Sequence, residues 1–175
     1  LGLVAGLDAL GERGAAFSSL LGRLGERRGE AVLAFGSWHG DWTRSNVAPH
    51  GGTVLAWDWE RFGTDVPVGF DALHYHLQDA ITARRPPEQA VRHTVASAEA
   101  LLAPFSAMSG RGDLPGRAGP PEAGAHGSAT LTAALYLAEL ALRYLRDRQD
   151  EAGARLGQPE RWLLPGLAAA IGELA

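Results

Sequence analysis

The sequence predicts a mostly α-helical chain with one small β-hairpin, an α+β fold. Apolar residues recur at three- and four-residue spacing in five separate segments, which is the helical period. Only one place, His50-Gly51-Gly52, has short extended runs closing around a Gly-Gly turn. At 175 residues with 46% hydrophobic content, the chain has the length and the apolar material for the core of one domain.

Each element has its own local reason. Residues 14–28 carry Phe17, Leu20, Leu21 and Leu24 on one face, with Arg23, Glu26, Arg27 and Arg28 on the other, and Gly29 is the stop. The apolar run Ala31-Val32-Leu33-Ala34-Phe35 reads as a buried strand or extended lead-in. Val47–Pro49 and Thr53–Trp57 are the arms of the hairpin, and a loop marked by Gly63, Pro67 and Gly69 follows. Phe70, Leu73, Leu77 and Ile81 define a helix over 70–83, broken by Arg84-Arg85-Pro86-Pro87. A helix over 88–103 follows, with Pro87 at its first turn. Glycine and proline crowd residues 109–128, which read as a mobile loop. Leu131, Leu135, Leu142 and Leu145 predict a helix over 129–150. Trp162, Leu163, Leu167 and Ile171 predict a last one from Pro159.

Composition removes whole classes of chemistry. There is no Cys, so no disulfide framework, thiolate zinc site or Cys nucleophile. All 16 basic residues are Arg, and the missing Lys excludes a Schiff-base enzyme and a Walker-type phosphate loop. A net charge of −4 argues against a nucleic-acid partner. The longest apolar stretch, Leu131–Leu142, contains Glu139 and is short of the ~20 residues that span a bilayer, so no membrane partner is expected. The first residue is Leu1 and the one Met is Met108, which reads as a processed chain or a fragment.

The chemistry concentrates in His39-Gly40-Asp41-Trp42-Thr43-Arg44-Ser45-Asn46 and in Trp57-Asp58-Trp59-Glu60. Asn46 is the only Asn in the chain. A tight hairpin returns the end of its second strand to the loop that precedes its first, so Asp41, Asn46 and Asp58 converge. Together they present hard oxygens, which suit Mg²⁺, an ion that takes one or two carboxylates plus substrate phosphates. A carboxylate held off the metal can accept or orient a hydroxyl proton. With His39 the one nearby nitrogen donor, phosphoryl transfer fits better than zinc hydrolysis.

His-Gly-Asp-x-x-x-x-Asn, a short hairpin and Asp-Trp-Glu resemble the C-terminal lobe of the aminoglycoside phosphotransferase family, within the protein-kinase-like superfamily. Gly63-Thr64-Asp65 and Phe70-Asp71-Ala72-Leu73 are similar to that family's downstream segments, and the resemblance spans Phe35 to about Leu77. It implies a cytoplasmic, Mg²⁺-dependent enzyme that uses ATP or GTP to phosphorylate a hydroxyl of an aminoglycoside-, sugar- or amino-alcohol-like acceptor. Residue by residue, it makes Asp41 the catalytic aspartate, Asn46 and Asp58 the ligands of the nucleotide's Mg²⁺, and His39 and Asp71 structural supports of the loop. Gly40 points to the small-molecule branch. Trp42, Ser45 and Trp57 depart from the family pattern and bear on pocket lining. The resemblance also implies a nucleotide-binding N-terminal lobe in cis. Roughly 40 residues precede the loop, too few for such a lobe, so residues 1–175 read as the catalytic-loop lobe of a longer chain, inactive alone.

Two other readings stand beside this one. One is a non-catalytic kinase-like binding module that keeps the motif as scaffold. The other is a metal-dependent hydrolase using His39, Asp41, Asp58 and His74 or His76. Arg44 is placed either to reach a phosphate or to form a surface ion pair. Trp42, Trp57 and Trp59 either line the acceptor cleft or, as is commoner, pack beneath the hairpin. Glu60 either orients neighbouring groups or pairs with the neighbours of Arg61, and Asp65 with the acids near Glu60 would favour a cationic acceptor. His74 and His76 are two apart and do not share a helix face, so one is expected partly buried and the other solvated.

Overall fold

Among the described residues, short β-strands occur only between the first helix and the second, and every element after them is helical. A computed structural model describes residues 11–109, 125–146 and 158–174. Helix α1 (Gly11–Arg28) buries Phe17, Leu20 and Leu24 and closes where the Gly29 N–H reaches the Gly25 carbonyl at 2.8 Å. Arg27 and Arg28 in its last turn face the negative end of the helix dipole. Strand β1 (Phe35–Trp38), the hairpin β2 (Val47–His50) and β3 (Thr53–Ala56), and β4 (Gly63–Pro67) follow. Then come α2 (Phe70–Thr82), α3 (Pro87–Ala96), α4 (Ala98–Ser109), α5 (Ala125–Arg146) and α6 (Pro159–Gly172). The fold is therefore mostly helical with a small antiparallel β region, as the sequence predicts.

The predicted hairpin forms in register His50↔Thr53 through Val47↔Ala56. Its turn residues Gly51 and Gly52 have φ of 55° and 81°, the pair of positive angles a two-residue turn of this kind needs. A second sheet, β1 against β4, was not predicted. The stretch 63–69 reads as loop because of Gly63 and Pro67, yet these are the first and last residues of β4, where they cost the ladder little. Of the two readings of the run 31–35, the buried strand is corrected: only Phe35 of it is in a strand, Val32 is 93% exposed, and residues 31–34 lead into β1. The pairing ends at Phe35↔Pro67, flanked by the Val68 N–H bond to the Ala34 carbonyl at 3.0 Å.

The helix expected over 88–103 is two helices separated at Ser97. The bonds Ser97 N–H to His93 O (2.9 Å) and Leu101 N–H to Ser97 O (3.0 Å) carry across the break, so the side-chain period passes through it unchanged. Of the expected loop 109–128, Ser109 and residues 125–128 are helical, and the rest lies outside the described residues.

Helix α5 is the centre of the core and touches α2, α3, α4, α6 and β4. Leu131, Tyr136, Leu137, Leu140 and Leu145 are buried on it, and Ala133, Ala134, Ala138 and Ala141 let neighbouring helices approach closely. With neighbours on several sides, its apolar surface extends well beyond a single stripe. Leu137 is fully buried, so Leu137→Ala is expected to cost about 2–5 kcal/mol, read as a lower urea midpoint at unchanged slope. No helix among the described residues is long and apolar enough to cross a membrane.

Candidate functional site

The loop from His39 to Asn46 joins β1 to the hairpin and is fastened from three directions. From below, Asp71 in the first turn of α2 accepts the His39 N–H at 2.8 Å and the Gly40 N–H at 3.2 Å. From α5, Arg143 donates through Nη1 to the Gly40 carbonyl at 2.7 Å. Its guanidinium lies 4.0 Å from the centroid of the Trp38 ring, and its Nε donates to Glu139 at 3.2 Å. From within, the Asp41 N–H donates to His39 Nδ1 at 3.3 Å. That bond assigns the proton to His39 Nε2, which donates to the Trp57 carbonyl at 2.9 Å. The buried imidazole thus ties the loop to the residue before Asp58.

Gly40 has φ of +86°, and a Cβ there would stand 2.1 Å from the Arg61 carbonyl oxygen. Its place is set by this close backbone approach as well as by backbone conformation.

Asp41 sits in the middle of this support. Asn46 Nδ2 donates to its Oδ2 at 2.8 Å and to its backbone carbonyl at 3.0 Å. Its Oδ1 is 3.4 Å from Nε2 of His74, whose Nδ1 is 3.0 Å from the Tyr136 hydroxyl. His74 is buried, while the Asp41 side chain remains 40% exposed. The His74 hydrogen bond is the main cause holding the Asp41 carboxyl below its usual 3.8. Partial burial opposes it, while the charge of His74 and the Asn46 bond reinforce it.

The folded chain therefore gives up this proton at lower pH than the unfolded chain. The stability it contributes is present above 3.8 and is lost as pH falls through the lowered folded value. His74→Leu removes the donor, and the Asp41 carboxyl-carbon titration measured by NMR is expected to move up toward 3.8.

Asp58 is exposed and has φ 64° and ψ 57°, a left-handed conformation that Asp adopts more readily than most residues. The Trp57 N–H donates to the Asn46 carbonyl at 3.2 Å, so Asn46 and Asp58 stand at the two ends of the hairpin, one residue from a direct backbone bond. Both donor bonds of Asn46 go to Asp41, which would leave its Oδ1 to act as an oxygen ligand, and Asp58 is exposed. One amide oxygen and one carboxylate, with further positions left to phosphates and water, match the donor set of a nucleotide-bound Mg²⁺. The hydrolase alternative needs imidazole lone pairs. His39 has both ring nitrogens engaged, as does His74, and among the described residues no group of three or more His, Asp and Glu is placed to share a cation.

Of the two alternatives for Arg44, the structure has the surface ion pair, with Asp79 on α2. Trp57 and Trp59 are 45% and 52% exposed and do not pack beneath the hairpin, because β2 and β3 contact chiefly each other. Trp59 lies instead 4.5 Å from the His39 ring and Trp42 5.6 Å from it, so the two indoles flank the imidazole. Glu60 is 3.8 Å from Arg61. Asp65 is exposed on β4 beside Thr64. Of the two histidines on α2, neither is solvated: His74 is buried, and His76 is half-buried 3.2 Å from Thr94.

A cleft of about 260 Å³ opens beside Asp41, lined by Glu60, Arg61, His74, Gln78, Leu140, Arg143 and Tyr144. Sequence reasoning missed Arg61, Gln78, Arg143 and Tyr144. His74 had a legible signal, since it follows Asp71 by one helical turn and so shares its face toward the loop. No family model, curated protein or solved structure matches the chain.

Proposed function

We propose that this chain carries the catalytic loop of a phosphotransferase, which moves the γ-phosphoryl group of a Mg²⁺-bound nucleoside triphosphate to a hydroxyl of a small molecule. The observation that carries the reading is the Asp41–Asn46 pair. A carboxylate kept ionised at the mouth of a cleft is bonded to an amide whose oxygen is left for a cation, beside an exposed Asp58.

In this reading the acceptor hydroxyl lies in the cleft against the Asp41 carboxylate. Its oxygen attacks the γ-phosphorus, and the bond from that phosphorus to the bridging oxygen breaks, leaving its electron pair on the nucleoside diphosphate. The hydroxyl proton passes to Asp41 and from there to solvent. Phosphoryl transfer has a loose transition state in which proton loss comes late, so a carboxylate of low pKa is adequate: its main work is to orient the hydroxyl. Asn46 holds Asp41 in place through Nδ2 and would hold the metal through Oδ1, with Asp58 as its second protein ligand. Mg²⁺, when bound, neutralises charge on the phosphates. Asp71, His39 and Arg143 hold the loop that carries these groups, so their contribution is geometric.

The test is Mg²⁺-dependent transfer of labelled γ-phosphate by the natural full-length protein to a panel of hydroxylated small molecules. Transfer that ends when EDTA is added is the expected result. Nucleotide binding without transfer to any acceptor would favour the non-catalytic module.

A further inference from the structure

We infer that the cleft beside Asp41 is an acceptor pocket for an uncharged, polyhydroxylated molecule the size of a single sugar ring. The inference deepens the phosphotransferase reading above and rests on it for the role of Asp41. Size is the first argument. The cleft measures about 260 Å³. A cavity of about 150 Å³ holds benzene, while drug-sized ligands occupy roughly 300–1,000 Å³. One hydroxylated ring fits between these limits.

Charge is the second argument. Two carboxylates, Asp41 and Glu60, face two guanidiniums, Arg61 and Arg143, across the same small space. The wall is therefore nearly neutral, and Asp65, the other acid that might have drawn a cation, is not part of it. A quaternary or protonated amine is recognised by aromatic faces or by a surplus of acids. Here the one aromatic lining side chain besides the imidazole is Tyr144, whose ring meets Trp162 edge-on at 5.6 Å.

Hydrogen-bonding capacity is the third. A hydroxyl both donates and accepts, so a polyol needs a wall offering both. The Gln78 amide and the Tyr144 hydroxyl, both in the lining, each do both. Burial raises the Tyr144 pKa, so its hydroxyl stays protonated. The edge-on Trp162 ring holds Tyr144 before any ligand arrives, which lowers the entropy cost of binding. Leu140 is the one aliphatic side chain in the lining, as expected for a ligand with hydroxyls on most carbons.

The experiment is calorimetry and saturation-transfer NMR on the natural full-length protein, with D-glucose, D-xylose and myo-inositol as uncharged rings. Choline, glucose 6-phosphate and kanamycin are the cationic, anionic and multi-ring probes. At least one uncharged ring is expected to bind more tightly than all three charged probes. Gln78→Ala and Tyr144→Phe are each expected to weaken that Kd by about two- to tenfold, the worth of a neutral hydrogen bond, while nucleotide affinity stays unchanged. Tighter binding of a charged probe, no binding of any ring, or unchanged Kd in both variants would overturn the inference. A parallel transfer assay separates it from the function itself. Ring binding without phosphorylation upholds the pocket and defeats the phosphotransferase, whereas phosphorylation of kanamycin alone does the reverse.

Discussion

Replacing Asp41 by Asn is expected to lower the rate of phosphoryl transfer by about 10²–10⁴-fold while leaving the fold intact. The substitution keeps the shape. An Asn at this position still offers one oxygen to Asn46 Nδ2, now at 2.8 Å from Oδ2, and turns its amide toward His74. The imidazole can accept that new N–H by moving its own proton to Nδ1, where the Tyr136 hydroxyl oxygen accepts it. What disappears is the negative charge that, in the proposed reaction, orients the acceptor hydroxyl and takes its proton. Single-turnover kinetics with saturating nucleotide isolate that step, and thermal unfolding checks the fold. A melting temperature within a few degrees of the parent beside a collapsed rate is the expected pair of results. A rate within a factor of a few of the parent would remove Asp41 from the chemistry and the proposed reaction with it.

The parts of the site that were legible beforehand share one property: they are close in sequence. Asp41 and Asn46 are five residues apart in one loop, and the Gly51-Gly52 turn returns the chain so that Trp57 bonds Asn46. Asp71 lay one helix further on, in a position that the family resemblance marked. The helical segments were legible for the same reason, since a 3.6-residue period is a local signal. What could not be read is contact between distant segments. The β1–β4 pair joins residues about 30 positions apart through backbone bonds that leave no side-chain pattern, and the glycine and proline at its ends hid it. Arg143 reaches Gly40 across 103 positions, a contact with no local signal in the sequence. Tyr144, Gln78 and Tyr136 belong to the site only because α2 and α5 pack together behind the loop. The exposure of Trp57 and Trp59 was misjudged because a hairpin was assumed to have a layer beneath it, and this one is paired mainly with itself.

Asp71→Ala is expected to be the most damaging change outside the reacting groups, lowering both stability and rate. Asp71 accepts two successive backbone N–H groups, those of His39 and Gly40, at 2.8 and 3.2 Å. Removing the carboxylate strands both donors in a partly buried position, and each bond to a charged acceptor is worth about 1.5–3 kcal/mol. The loss is not confined to stability. Gly40 is held from the other side by Arg143 on its carbonyl, so one peptide segment is gripped by an anion on its N–H and a cation on its C=O. Release of the first grip frees the residue directly before Asp41, and misplacement of a positioned group by about 1 Å can cost roughly 10²-fold in rate. The two grips also predict different outcomes for conservative changes. Asp71→Asn retains one acceptor oxygen but sets an NH₂ against a donor, so it recovers only part of the stability. Arg143→Lys keeps the charge but loses the planar group stacked on Trp38 and the fork that serves Glu139 and Gly40 together, so it is expected to recover little. Nucleotide affinity is the control that separates positioning from collapse, because Asp71's bonds go to His39 and Gly40 and not to Asn46 or Asp58. If Asp71→Ala folds, binds nucleotide as before and still transfers phosphate at the parent rate, then Asp41 does not depend on this latch for its position.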